Sequence, residues 1–140
     1  MSQPNQLAMS HQLAKVLHTA LLGGVFVIAV VFAFVRTLVD VELEGSALTA
    51  IRYAGLGLLL VAGIVIFKRR ARIPIYQPDQ ERDAWWAAHG QLVLSQWMLA
   101  EGTATVGAVF WFLTGDVAVL VVLAAAAVLL FRLRPSVWTT

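Results

Sequence analysis

Residues 92–113, LVLSQWMLAEGTATVGAVFWFL, make an apolar run of helix length with one charged residue, Glu101, near its middle. An α-helix needs roughly 20 residues to cross about 30 Å of hydrocarbon. A carboxylate at that depth has no water to solvate it, so it is expected to be protonated, paired or beside a wet cavity. The stretch therefore predicts a membrane-spanning helix that carries a candidate functional group.

Three further apolar runs have a similar length. The chain is 60% hydrophobic and only 13% charged, whereas soluble domains carry roughly 25% charged residues. Backbone groups in lipid must form hydrogen bonds within their own segment, which favours helices over strands. The sequence predicts an all-α integral membrane bundle of four transmembrane helices in one domain over residues 1–140, with spans at about 17–39, 47–67, 92–113 and 117–133 and a cytoplasmic loop at about 68–88.

Basic residues are distributed unequally between the two sides of this topology. Only Arg36 and Arg52 fall on one side, and the other side holds Lys15, Lys68, Arg69, Arg70, Arg72, Arg82, Arg132 and Arg134. Because Lys- and Arg-rich loops stay in the cytoplasm, we expect a multi-pass protein of a bacterial inner membrane with both termini cytoplasmic. The net charge of +2 comes from loop residues, so the lipid bilayer is the expected partner and nucleic acid is not.

Short polar segments predict where helices begin and end. Gly115 is suited to a left-handed helix end and Asp116 to capping the helix that follows, so the third and fourth helices are expected to be antiparallel neighbours. Ser46 and Asp79 are the predicted caps of the second and third helices.

An internal repeat is visible between the two halves of the chain. The segment 21–35, LLGGVFVIAVVFAFV, aligns with 99–113, LAEGTATVGAVFWFL, pairing Gly24 with Gly102 and Phe32 with Phe110. Both readings stay open: two tandem helical hairpins that arose by duplication, or a chance likeness between apolar segments. A true duplication would be a parallel repeat.

Small residues recur at four-residue spacing on the third span, at Ala100, Ala104 and Ala108. Small side chains let membrane helices approach closely, which is where their association energy originates. They are consistent with packing inside one bundle, and equally with a homo-oligomer or contact with other membrane subunits.

Polar residues near Glu101 define a candidate ion- or proton-binding site, formed by Glu101, Gln96 and Thr105. No Lys or Arg lies at matching depth on another span, so a buried salt bridge is not expected. Burial without a cation favours the protonated carboxyl. The alternative is a structural carboxyl that bonds to a Thr hydroxyl or a backbone carbonyl and fixes helix register.

Two histidines form a second, separate candidate. His18 opens the first span and His89 precedes the third, and these helices run parallel, so both rings are expected on the cytoplasmic side at comparable depth. Histidines on facing helices can ligate haem iron, which would make the chain a bis-His b-type cytochrome. The alternative is a pair of interfacial rings. The chain contains no Cys, and no other metal site is expected.

The stretch 99–116, LAEGTATVGAVFWFLTGD, resembles a group of bacterial four-helix membrane proteins of unknown function. It is also similar to the carboxylate helix of rotary ATPase proteolipid (c) subunits, where an acidic residue among small neighbours carries the translocated ion. Only Glu101 corresponds, with Ala100 and Gly102 beside it. In those subunits the carboxylate lies on the second helix of the hairpin, while Glu101 lies on the first. The resemblance thus implies a protonatable site and not membership of an ATP synthase.

These observations predict a small, non-enzymatic, oligomeric membrane protein that uses Glu101 to bind a proton or cation for conduction or coupling. One alternative is a structural accessory subunit of a larger membrane complex, in which Glu101 is only a packing element. The other is the cytochrome with haem b between His18 and His89.

Overall fold

The computed structural model describes residues 9–41 and 43–139, and within them every regular element is helical. Four α-helices follow one another, and a single 3₁₀ turn, Pro135–Val137, closes the chain. The helices are α1 (His11–Arg36), α2 (Gly45–Arg70), α3 (Arg82–Thr114) and α4 (Val117–Arg132). The all-α prediction is confirmed, and the third helix begins ten residues before the apolar run at 92, as its polar first turns allow.

The turn between α3 and α4 has the predicted chemistry. Gly115 adopts a left-handed conformation with φ 64°, and its N–H donates to the carbonyl of Trp111 at 2.7 Å. The Asp116 carboxylate accepts from the backbone N–H of Ala118 at 2.7 Å and caps α4. Without these two hydrogen bonds, the carbonyl of Trp111 at the end of α3 and the N–H of Ala118 at the start of α4 would lack a partner.

The other two predicted caps are wrong. Helix α2 begins at Gly45 and α3 at Arg82, so Glu44 and Glu81 occupy the cap positions, and neither side chain makes a capping hydrogen bond. The start of α1 is capped by Ser10, which accepts from the N–H of Leu13 at 3.2 Å. The N–H of His11 also donates to Asp83 of α3 at 2.8 Å, which ties the two helix starts together.

Helix α3 is the centre of the bundle and packs against all three other helices. Its small residues Ala100, Ala104 and Ala108 are fully buried. At Gly107 a Cβ atom would lie 3.0 Å from the backbone nitrogen of Leu123, so α3 and α4 are in backbone contact there. Close approach of this kind needs the missing side chain of glycine.

The two halves of the chain are not equivalent hairpins. Helices α3 and α4 form the closest packed pair, whereas α1 and α2 make almost no contact with each other. Instead, α1 and α2 each lie against α3. The expectation of two similar tandem hairpins therefore fails for the first half, because its helices gain more contact from α3 than from each other.

Two helices, α1 and α2, are each 26 residues long and apolar enough to span a membrane. Of the most apolar window of each, only 11% and 17% is buried inside the bundle. Helix α4 is a shorter apolar helix of 16 residues. The two candidate membrane spans thus have few buried residues, and the helix with the most buried residues, α3, carries Glu101.

Candidate functional site

The Glu101 side chain is half-buried and hydrogen-bonded one turn along its own helix. The hydroxyl of Thr105 donates to Oε1 of Glu101 at 3.1 Å. Residues 98, 101, 105 and 109 lie in one row along α3, and the outer members of that row, Met98 and Val109, are 58% and 36% exposed. Glu101 and Thr105 therefore lie on the face of α3 that α4 leaves uncovered. Among the residues that the structure describes, no basic side chain forms an ion pair with Glu101.

The depth of Glu101 follows from the register between the helices. Arg69, near the end of α2, donates to the hydroxyl of Ser95 at 3.1 Å. Glu101 is six residues beyond Ser95, a rise of about 9 Å, and the end of α3 at Thr114 is about 20 Å further. We call the end of the bundle that holds Arg69 and the C-terminus of α4 the basic end. Along α3, Glu101 is thus closer to the level of Arg69 than to Thr114, and its position near the middle of a membrane span stays a prediction.

The third predicted member of the site, Gln96, is not brought to Glu101. Five residues on a helix turn the side chain by about 140°, onto another face. Gln96 is fully buried, and neither its amide oxygen nor its amide nitrogen has a hydrogen-bond partner within the described part of the chain. A buried amide of this kind requires solvent or a ligand. The structure thus joins Glu101 to Thr105 and places Gln96 in the core.

His18 is buried at the basic end, where it holds the end of α4. Its Nε2 donates to the carbonyl of Leu130 at 2.9 Å, and its ring meets the edge of Trp97 at 5.0 Å between centroids. Trp97 and Trp138 both donate to the carbonyl of Leu133, at 2.7 and 3.1 Å. These bonds satisfy the last carbonyls of α4, which have no partner inside that helix.

His89 lies elsewhere on α3. Its Nδ1 donates to the carbonyl of Trp85 at 3.0 Å. It precedes Trp97, the ring neighbour of His18, by eight residues, a rise of about 12 Å. Within residues 9–41 and 43–139 no contact joins His18 to His89, and no group of three His, Cys, Asp or Glu side chains is placed to hold a metal ion. His18 and His89 thus lie at different levels along α3, and a haem held between them stays a prediction.

The end of the bundle opposite the basic end is closed by two arginines that sequence reasoning counted only as loop charges. Arg36 donates to the carbonyls of Phe112, at 2.5 Å, and Val41, at 3.2 Å. Arg52 forms an ion pair with Asp116, and its hydrogen bond lowers the pKa of that carboxyl. The bond from Arg36 to Phe112 and the ion pair of Arg52 with Asp116 have no local signal in the sequence, because each joins residues more than sixty positions apart.

Between Glu101 and that closed end, the seam of α1 and α3 is filled with apolar side chains. Phe32 stacks on Phe112 with ring centroids 5.2 Å apart, and Val25 is buried below them. Ser95 and Arg69 lie about 9 Å from Glu101 along α3 in the direction of the basic end. They are on another face of α3, because six residues turn a side chain by about 120°.

Comparison with known proteins returns no match to a family model, a curated protein or a solved structure.

Proposed function

We propose that the chain is a small, non-enzymatic, four-helix membrane protein in which Glu101 and Thr105 bind and release a proton or a small cation from the cytoplasmic side. The observation that carries the proposal is the half-buried Glu101 carboxyl, which has a hydroxyl partner and no cation within the described residues. We propose that the basic end faces the cytoplasm, because Lys- and Arg-rich segments of membrane proteins stay on that side.

The distribution of apolar side chains supports the membrane placement. Soluble monomers rarely expose apolar patches larger than a few hundred Å². Here large apolar side chains are exposed on all four helices, among them Phe26 at 70%, Leu60 at 65%, Met98 at 58% and Val121 at 55%. A bilayer is a solvent in which such a surface is favourable, and α3 and α4 would be carried into it by their packing against α1 and α2.

The chemistry of the pair follows from its surroundings. An ionised carboxylate that faces lipid without a cation is strongly unfavourable, so it would be neutral or hold a bound cation. The Thr105 hydroxyl donates to Oε1 of this carboxyl at 3.1 Å, which places two oxygen atoms together where a proton or a small cation could bind.

The surroundings favour coupling over conduction through a single chain. Phe32, Phe112 and Val25, which are apolar, lie in the seam between the carboxyl and the closed end of the bundle, and apolar side chains do not carry a proton onward. The uncovered face of α3 is also where a second copy or another subunit would seal Glu101 from lipid. A purely structural role as an accessory subunit is the competing proposal, and the test below separates the two.

The test is modification of the full chain in lipid vesicles by a hydrophobic carbodiimide, which reacts with protonated carboxyls, followed by mass spectrometry of the labelled peptides. We expect Glu101 to react at neutral pH, and reaction to decrease as the pH rises or as the bound cation is added. In Thr105→Val the rate of labelling should change, because Glu101 loses its hydroxyl partner. Glu44, an exposed carboxyl with no capping bond, is the matched control.

Glu101→Gln should lose the fast reaction, and Glu44→Gln should keep it. Labelling of Glu101 at the rate of Glu44, with no dependence on pH or on Thr105, would refute the proposal. That outcome would favour the structural role, in which the carboxyl only bonds within α3.

A further inference from the structure

An apolar groove runs along the outside of the bundle between α2 and α4. It has a volume of about 700 Å³, and its walls include Leu56, Gly63, Phe67 and Leu129. Lys68 lies at its end nearest the basic end. Gly63 leaves the groove open, because a Cβ atom built there meets nothing within 4 Å.

A second, smaller cavity of about 350 Å³ lies next along the same two helices. Its walls are formed by Arg70, Arg132 and Arg134 with the apolar side chains of Phe131 and Val137. Leu129 of the groove and Arg132 of this basic cavity are three residues apart on α4, and Phe67 and Arg70 are three apart on α2, so each pair lies on one face of its helix. The groove therefore leads into the basic cavity.

The guanidinium groups of the basic cavity are held by aromatic rings. Arg70 lies over the ring of Trp138, 5.3 Å from its centroid, and Arg134 lies 5.8 Å from the centroid of Phe131. Neither cavity has a carboxylate among the described residues of its walls. The positive charge is thus available to an anion from outside the chain.

We propose that this composite site binds one anionic phospholipid of the cytoplasmic leaflet, with an acyl chain in the groove and the phosphate among Lys68, Arg70, Arg132 and Arg134. Basic cavities at the cytoplasmic ends of membrane helices are suited to anionic headgroups. The site rests on the membrane placement proposed above, and it is independent of the chemistry of Glu101.

The dimensions agree with a lipid chain from one leaflet. The groove extends along α2 from Leu56 to Phe67, about 16 Å, and half of a hydrocarbon core is about 15 Å. Its volume is within the range of about 300–1,000 Å³ that ligand cavities in proteins have. A second copy of the chain would leave the arginines opposite other arginines, whereas an anionic lipid satisfies both the apolar and the charged part.

The test is native mass spectrometry of the full chain released from detergent micelles, with dioleoyl phosphatidylglycerol or dioleoyl phosphatidylcholine as the added lipid. We expect the chain to retain phosphatidylglycerol at concentrations where phosphatidylcholine is lost. Each basic residue near an anionic headgroup contributes about five-fold in affinity. The double variant Arg132→Gln, Arg134→Gln should therefore lower retention of phosphatidylglycerol by about 25-fold. Arg72 lies outside both cavities, so Arg72→Gln should change retention little.

The groove has its own matched pair of variants. Gly63→Leu should lower retention of both lipids, because the new side chain fills the groove. Gly57→Leu is the control, since Gly57 is on the same helix, has the same open space around its Cβ position and does not line the groove. Glu101→Gln should leave lipid retention unchanged.

Equal retention of the two lipids would overturn the proposal, as would an Arg72→Gln effect as large as that of the double variant. A dimer that dissociates in Gly63→Leu without any lipid selectivity would assign the groove to a second copy and also overturn it. Membrane placement is tested separately, by asking whether the chain stays in the membrane fraction before detergent is added.

Discussion

Replacing Gly107 with alanine should destabilise the bundle, because α3 and α4 touch through their backbones at this position. The new Cβ atom would lie 3.0 Å from the nitrogen and 3.1 Å from the Cα atom of Leu123. A backbone cannot rotate away as a long side chain can, so the two helices would have to separate. Overpacking of this kind costs about 1–3 kcal/mol, and the better helix propensity of alanine returns about 1 kcal/mol.

Gly102 is the matched control on the same helix. A Cβ atom at Gly102 meets nothing within 4 Å, so Gly102→Ala should stabilise the chain by up to about 1 kcal/mol through helix propensity alone. Both variants replace one glycine of α3 with alanine and so have the same composition. Their free energies of unfolding should differ by about 1–3 kcal/mol. The assay is unfolding of each variant in mixed micelles by increasing SDS, followed by the fluorescence of the five tryptophans.

Equal stability of the two alanine variants would refute the close packing of α3 on α4. A Gly102→Ala variant that is the less stable of the two would show that the uncovered face of α3 is packed in the natural assembly. That second result would indicate that a partner covers the face of α3 that carries Glu101.

Two further predictions concern the closed end. Gly115 and Gly45 both have φ 64°, but a Cβ atom on Gly115 would collide with the guanidinium of Arg36 whereas one on Gly45 meets nothing within 4 Å. Gly45→Ala should therefore cost about 1–2 kcal/mol from backbone strain and Gly115→Ala measurably more, and equal losses in SDS unfolding would exclude the Arg36 contact. The hydrogen bond from Arg52 lowers the pKa of Asp116 from its ordinary value of 3.8; the stability it contributes should be present in full above about pH 5 and lost as the pH falls through and below 3.8. Asp116→Asn should remove this pH dependence while it still caps α4, and a pH dependence retained in that variant would show that another group is responsible.

The sequence was sufficient for features that depend on neighbouring residues. Apolar runs of helix length predict helices wherever the chain is not in water, and all four appear close to the expected positions. The turn at Gly115 and Asp116 was also predictable, because a left-handed residue followed by a capping carboxylate is a local arrangement. The caps at Ser46 and Asp79 were not, since each loop holds a second polar residue two positions away, Glu44 or Glu81, that occupies the cap position without making a side-chain capping bond.

The candidate site likewise combines a local contact, which the sequence predicts, with a long-range arrangement, which it does not. The bond from Thr105 to Glu101 joins residues one helical turn apart, so the sequence alone brings them together. The depth of Glu101 depends on how far α3 slides along its neighbours, and that register is set by contacts such as Arg69 with Ser95 and His18 with Trp97.

What the sequence by itself determined is the helical composition, the apolar exterior and a carboxyl group with a hydroxyl partner, because each follows from residues within a few turns of one another. Only the tertiary structure decided that α3 lies at the centre, that His18 and His89 are apart, and that the basic ends of α2 and α4 meet beside an apolar groove. Residues more than sixty positions apart, such as Arg70 and Arg132, become neighbours only through packing, and apolar helix surfaces offer many packings of similar hydrophobicity. Shape complementarity between particular small and large side chains selects one of them.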